Sequence, residues 1–132
     1  MSNLYAEDIL YWAKDMRFRG VLENPSATAH RENPSCGDAL TCSVRIATFS
    51  ETPSGPPGRG KEYIERVRFE GTGCVICLAS ATVLAEHVEG ASVDLVLAMN
   101  KENMVEWLAC DVGPMRTNCM MLALLTLRDA LT

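Results

Sequence analysis

The sequence predicts an α+β domain, in which helices cover one face of a small antiparallel sheet of about three strands. Segments with period-two alternation come first and the longest helix-spaced segments follow, an order that points to α+β rather than interleaved α/β architecture. Two alternating segments flank a stretch containing Pro53, Gly55, Pro56, Pro57, Gly58 and Gly60, which cannot pair in a sheet and serves as an exposed hairpin connection. Two such strands alone are unstable. A third strand or a helix must cover them.

Residues 4–17 place Leu4, Ile9, Leu10, Trp12 and Ala13 near helical spacing, and Gly20 closes this first helix. The polar stretch 21–33, punctuated by Pro25 and Pro34, contains a short edge strand at 27–30. Beyond the turn Asn33-Pro34-Ser35-Cys36-Gly37-Asp38, the residues Leu40, Cys42, Val44 and Ile46 alternate with Thr41, Ser43, Arg45 and Ala47. That is a half-buried strand. In the next strand, 62–70, Val67 and Phe69 face inward, and Glu62, Glu65, Arg66 and Arg68 make a solvated face.

The turn Gly71-Thr72-Gly73-Cys74 leads into 75–88, which lacks Pro and Gly and ends before Gly90 at a C-cap position. Ser92 caps a short helix through Ala98, and Asn100 caps another to about Leu108. Gly113 and Pro114 break the chain before a last helix over 117–130.

At 132 residues the chain has the size of one domain, 1–132, with a core that needs no staples. A net charge of -5 argues against a nucleic-acid partner. No apolar run approaches the roughly 20 residues that span a bilayer, and residues 1–10 lack a basic stretch followed by an apolar one. A cytoplasmic protein is expected. In a reducing compartment clustered cysteines, of which the chain has six in all, point to metal or sulfur chemistry rather than to disulfides.

Cys36 and Asp38 stand two apart on a turn, so their side chains can reach one point. Cys74 follows two glycines at a helix start, where unpaired N–H groups favour thiolate, and Cys119 opens the last helix with Arg116 three residues before it. Three thiolates and one carboxylate suit iron–sulfur clusters and zinc alike, and the single hard oxygen weakens the shell. A weak fourth ligand fits a site that releases its metal. Structural zinc prefers paired Cys-x-x-Cys knuckles, and only Cys74 and Cys77 form such a pair.

The remaining candidates have plainer readings. Cys42 shares the inward register of Val44 and Ile46, and Cys110 and Cys77 are expected to pack as small hydrophobes. His87 serves its helix terminus, and His30 is a surface residue. Met115, Met120 and Met121 fill core or face a partner.

Three segments, each centred on a cysteine, resemble iron–sulfur cluster assembly scaffolds of the IscU/NifU/SufU family. Asn33-Pro34-Ser35-Cys36-Gly37-Asp38 resembles their N-P-x-C-G-D signature, and Phe69-Glu70-Gly71-Thr72-Gly73-Cys74 with Ala79-Ser80 is similar to their F-x-G-x-G-C-x-x-x-x-A-S segment. Arg116-Thr117-Asn118-Cys119-Met120-Met121-Leu122 resembles their basic-x-x-C-x-x-L segment. The resemblance runs over nearly the whole chain.

The resemblance implies an IscU-like fold and a scaffold rather than an enzyme. A cysteine desulfurase would deliver sulfur as persulfide, with Cys119 as acceptor, and Cys36, Asp38, Cys74 and Cys119 would hold iron and a transient 2Fe-2S cluster for transfer to apo-proteins. Zinc could occupy the same four residues in the resting state. The alternative it implies is a zinc-bound, SufU-like sulfurtransferase partner of the desulfurase, and oligomerisation is compatible with either role. Two departures stand out. Asn118 replaces the His that IscU proteins carry before their third cysteine, and Val112-Gly113-Pro114-Met115-Arg116 keeps one Pro and a basic residue of the L-P-P-V-K motif read by their chaperone. A chaperone partner is left open.

Overall fold

The computed structural model describes residues 3–34, 37–48, 62–109 and 113–132. Cys36, Cys110 and the Pro/Gly connection lie outside the described residues, as do the side chains of residues 3–7 and of Met115.

The chain runs through α1 (Asn3–Lys14), β1 (Ala27–Asn33), β2 (Asp38–Thr48), β3 (Glu62–Thr72), α2 (Val75–Val88), α3 (Val93–Leu97), α4 (Lys101–Leu108) and α5 (Thr117–Leu131). The three strands form one antiparallel sheet in the order β1-β2-β3. This is the expected α+β class. Leu40, Cys42, Val44, Val67 and Phe69 point into the core from β2 and β3, as their alternation requires. On that face α2 packs against β3, α5 against β1 and β2, and α1 and α4 against α2.

Helix α2 is apolar on nearly every side because the sheet and three helices surround it. Cys77, Ala79, Ala81, Val83, Leu84, Ala85 and Val88 are all buried. The caps behave as their residues dictate. Ser92 Oγ accepts from Leu95 N–H at 3.1 Å, Asn100 and Asn103 form a reciprocal capping box, and Gly90 takes the left-handed φ of +90° just past α2.

Helix α1 stops three residues short of the expected Arg17. The cause is tertiary. Residues 18–20 leave the helix to pair with the free edge of β3, where Phe69 N–H donates to the Phe18 carbonyl and Gly20 N–H to the Phe69 carbonyl. From there the chain crosses the helix-free face of the sheet, with Leu22 N–H donating to Ser43 Oγ at 3.0 Å. It then enters β1, which is longer than expected and pairs with β2 from Ala27↔Val44 to Asn33↔Asp38. Further along β3, Ile64 N–H donates to the Ala91 carbonyl and Gly90 N–H to the Ile64 carbonyl. Both stretches cover an edge that would otherwise be open to another strand.

Candidate metal centre

Asp38 does not lie on the turn. It is the first residue of β2, paired with Asn33, and shares the inward register of Leu40, Cys42 and Val44. That register buries its carboxyl group to 2 % exposure. Oδ1 accepts a hydrogen bond from the backbone N–H of Cys74 at 3.0 Å, whereas Oδ2 is buried with no hydrogen-bond partner among the described residues. A buried, unpartnered carboxylate oxygen is costly unless a cation completes it.

The two glycines before Cys74 answer different demands. Gly71 has φ +143°, and a Cβ there would stand 2.0 Å from the Ala39 carbonyl oxygen of the paired strand, so β2 and β3 approach only over a residue with no side chain. At Gly73 a Cβ would meet Cys77 Sγ at 2.7 Å and Asp38 Oδ1 at 3.2 Å. Space there belongs to the carboxylate and the sulfur. Cys74 is the extended residue immediately before α2, half-buried and on the side of Asp38.

Cys119 is the third residue of α5, which a short 3-10 turn (Pro114–Arg116) leads into. The Thr117 hydroxyl donates to the Gly113 carbonyl at 2.8 Å and fixes that entry. Cys119 is 2 % exposed, and Arg116, expected beside it, is itself exposed. Ligand atoms of Asp38, Cys74 and Cys119 all lie within 4.8 Å of one another. Three residues from distant parts of the sequence thus share one point. The set fits a cation on two counts: the orphaned carboxylate oxygen, and two sulfur donors of the kind that hold iron–sulfur clusters or zinc.

The plainer readings also have places in the structure. Cys42 is fully buried, and burial pushes its thiol up to about 12, so it is inert. Cys77 is fully buried behind Gly73. His87 stacks on Trp107 at 4.2 Å between ring centroids, which ties α2 to α4, and its Nδ1 donates to the Val83 carbonyl one turn back in α2. His30 lies on the outer face between Thr41 and Glu32. Met120 is buried in the core. Asn118 lines a surface hollow with Arg31, Glu32 and Asn33. Arg68, read as part of a solvated strand face, is instead half-buried over the Phe18 ring and paired with Glu89 at 2.9 Å.

The family model described as the NifU-like N terminal domain matches residues 4–132. The chain belongs to that family. It is 28% identical to the iron–sulfur cluster assembly scaffold protein IscU of Thermotoga maritima, covering 97% of this chain and 92% of that one. It is 29% identical to the zinc-dependent sulfurtransferase SufU of Bacillus subtilis, covering 76% of this chain and 59% of SufU. Among solved structures, a candidate iron–sulfur cluster assembly scaffold protein for the SUF system from Fervidobacterium islandicum AW-1 superposes with a TM-score of 0.74 at 28% identity over the full length of both chains. The N-terminal NifU-like protein of Brucella abortus, at 20% identity and a TM-score of 0.71, shares the fold.

Proposed function

We propose that this chain is a scaffold on which an iron–sulfur cluster is assembled and from which it is passed to apo-proteins. The observation that carries the reading is the convergence of Asp38, Cys74 and Cys119 on one point, with one carboxylate oxygen left over for a cation. Cys36 completes the ligand set on the strength of the Cys-Gly-Asp segment that it shares with Asp38. Residues 1–132 act as one domain in the cytoplasm. Among the described residues no helix is long and apolar enough to cross a membrane.

In this reading the donor is a cysteine desulfurase carrying a persulfide. The Cys119 thiolate attacks the outer sulfur, the donor's S–S bond breaks as a new one forms on Cys119, and the donor cysteine leaves as thiolate. Cys119 is buried, so the start of α5 must open to admit the donor. Iron and an external electron donor then reduce the bound sulfur to sulfide and build a 2Fe-2S cargo held by Cys36, Asp38, Cys74 and Cys119. Asp38 sets the lifetime of that cargo: a carboxylate binds iron more weakly than a thiolate, and Oδ1 keeps its backbone hydrogen bond while Oδ2 exchanges.

A second reading has the same residues holding one zinc ion while Cys119 relays sulfur, without a cluster. Its support is the similarity to the zinc-dependent sulfurtransferase SufU and a donor set that suits zinc equally.

Anaerobic reconstitution with iron, a cysteine desulfurase and cysteine separates the two. A visible 2Fe-2S spectrum that is lost in Cys36→Ser, Cys74→Ser and Cys119→Ser is the expected result, and a colourless protein retaining zinc through desulfurase turnover would favour the sulfurtransferase. Asp38→Ala should slow transfer of the cluster to an apo-acceptor; equal or faster transfer would remove Asp38 from the release step. Cys119→Ser should abolish labelling by persulfide. Undiminished labelling would move the acceptor role to Cys74 or Cys36.

A further inference from the structure

The helix-free face of the sheet carries a cluster that the metal centre does not use. A cavity of about 410 Å³ is lined by Arg19, Arg45, Arg66, Arg68, Glu23 and residues 20–22. In a chain whose net charge is -5, four guanidinium groups around one cavity are a local reversal of sign. It is far from the metal centre: Arg45 is seven residues along β2 from Asp38, roughly 20 Å at strand rise.

The register sharpens the point. Arg45 and Arg66 are direct cross-strand partners, and like charges in that position destabilise a sheet. Nothing among the described residues relieves them fully. Arg45 donates to the Glu23 carbonyl and lies 3.8 Å from Glu65, but the side chain of Arg66 makes no hydrogen bond or ion pair among the described residues. Arg68 is held by Glu89, by the Val67 carbonyl and by the Phe18 ring. Arg19 donates through one terminal nitrogen to the Ala13 carbonyl, yet its Nε is buried without a partner among the described residues. The cavity therefore combines fixed cations, one unbound cation and an orphaned donor. Planar guanidinium forks are the groups that grip phosphate and carboxylate two oxygens at a time.

We propose that this cavity binds a small multivalent oxyanion, of phosphate or carboxylate chemistry, which bridges Arg45 and Arg66 and engages Arg19. The volume accommodates an anion of the size of pyrophosphate or citrate. The site is independent of the cysteine centre and of the function proposed for it.

The test is calorimetric titration and thermal unfolding of the full chain in EDTA, with pyrophosphate, with citrate, and with potassium chloride at matched ionic strength. Either oxyanion should raise the melting temperature more than chloride does, and Arg66→Thr should weaken its binding at least tenfold. Tighter binding of pyrophosphate assigns phosphate chemistry; tighter binding of citrate assigns carboxylate chemistry. In low-salt buffer without oxyanion, Arg66→Thr should melt at or above the wild-type temperature, because the Arg45–Arg66 repulsion is gone. The proposal is overturned if neither oxyanion outdoes chloride, or if Arg66→Thr and Arg45→Thr bind as the wild type does.

Discussion

The two ends of the β2–β3 pair carry opposite charges under opposite conditions. At one end Asp38 points inward and is sealed by Gly71, Gly73, Cys74 and α5; at the other, Arg45, Arg66 and Arg68 point outward over a surface that, among the described residues, is crossed by the chain from 18 to 26. Burial decides what each can tolerate. An unpartnered carboxylate oxygen in the interior demands a cation, whereas repelling arginines at a wet face are merely uncomfortable and can wait for an anion. The same strand periodicity that sends alternate residues to opposite faces thus separates the site proposed for a cation from the one proposed for an anion.

The largest effect should come from the seal at the buried end. Gly71→Ala forces a Cβ into the Ala39 carbonyl at a φ that side chains avoid, and urea unfolding should show a loss of about 3 kcal/mol or more. A loss under about 1 kcal/mol would mean that the strands separate there easily, and the contrast between a rigid and an open end would fail.

Gly73→Ala is a gentler probe of the same end, because its neighbours are side chains. It should cost about 1–3 kcal/mol and weaken zinc or cobalt binding at least tenfold, by displacing the Asp38 carboxylate and Cys77. Metal titration monitored by thiolate charge-transfer absorption reads this directly. Unchanged affinity would show that the carboxylate position is not held by Gly73.

Alkali tests the closed core between the two ends. The folded state holds the Cys42 thiol protonated to about pH 12, against an ordinary value of 9.0. The unfolded chain therefore loses this proton first as pH rises. The stability due to Cys42 is complete below about 9 and is lost between about 9 and 12. Cys42→Ala should flatten that part of the stability-versus-pH curve, and an unaltered slope would mean that Cys42 ionises in place.

The smallest effect is expected where charge is exposed and paired. Arg31 on β1 bridges Asp129 on α5 at 2.9 Å with both side chains 42% exposed, and Arg31→Ala should change stability by less than about 0.5 kcal/mol. A larger loss would show that α5 depends on that clamp for its place over β1.

Much of this was legible in the residues. Helix α2 begins and ends where the glycines and the capping position put it, and Ser92, Asn100 and Pro114 mark the later helices, because caps and breakers act through neighbours in the chain. Residues 15–20 were not legible. They look like a continuation of α1, and only the free edge of β3 draws them out of the helix.

The donor types were likewise written in the sequence: a carboxylate two residues after a cysteine, a cysteine behind two glycines, another near a helix start. Sequence periodicity determined that β2 would send Cys42 and Val44 inward and Arg45 outward, since side chains alternate whatever the partner strand. It could not tell which charges would meet. That Asp38 Oδ2 is orphaned beside Cys74 and Cys119, and that Arg45 faces Arg66 with Arg19 brought alongside, was decided by strand register and by the path of residues 18–26. Both are set by contacts between residues far apart in the chain, which no local pattern records.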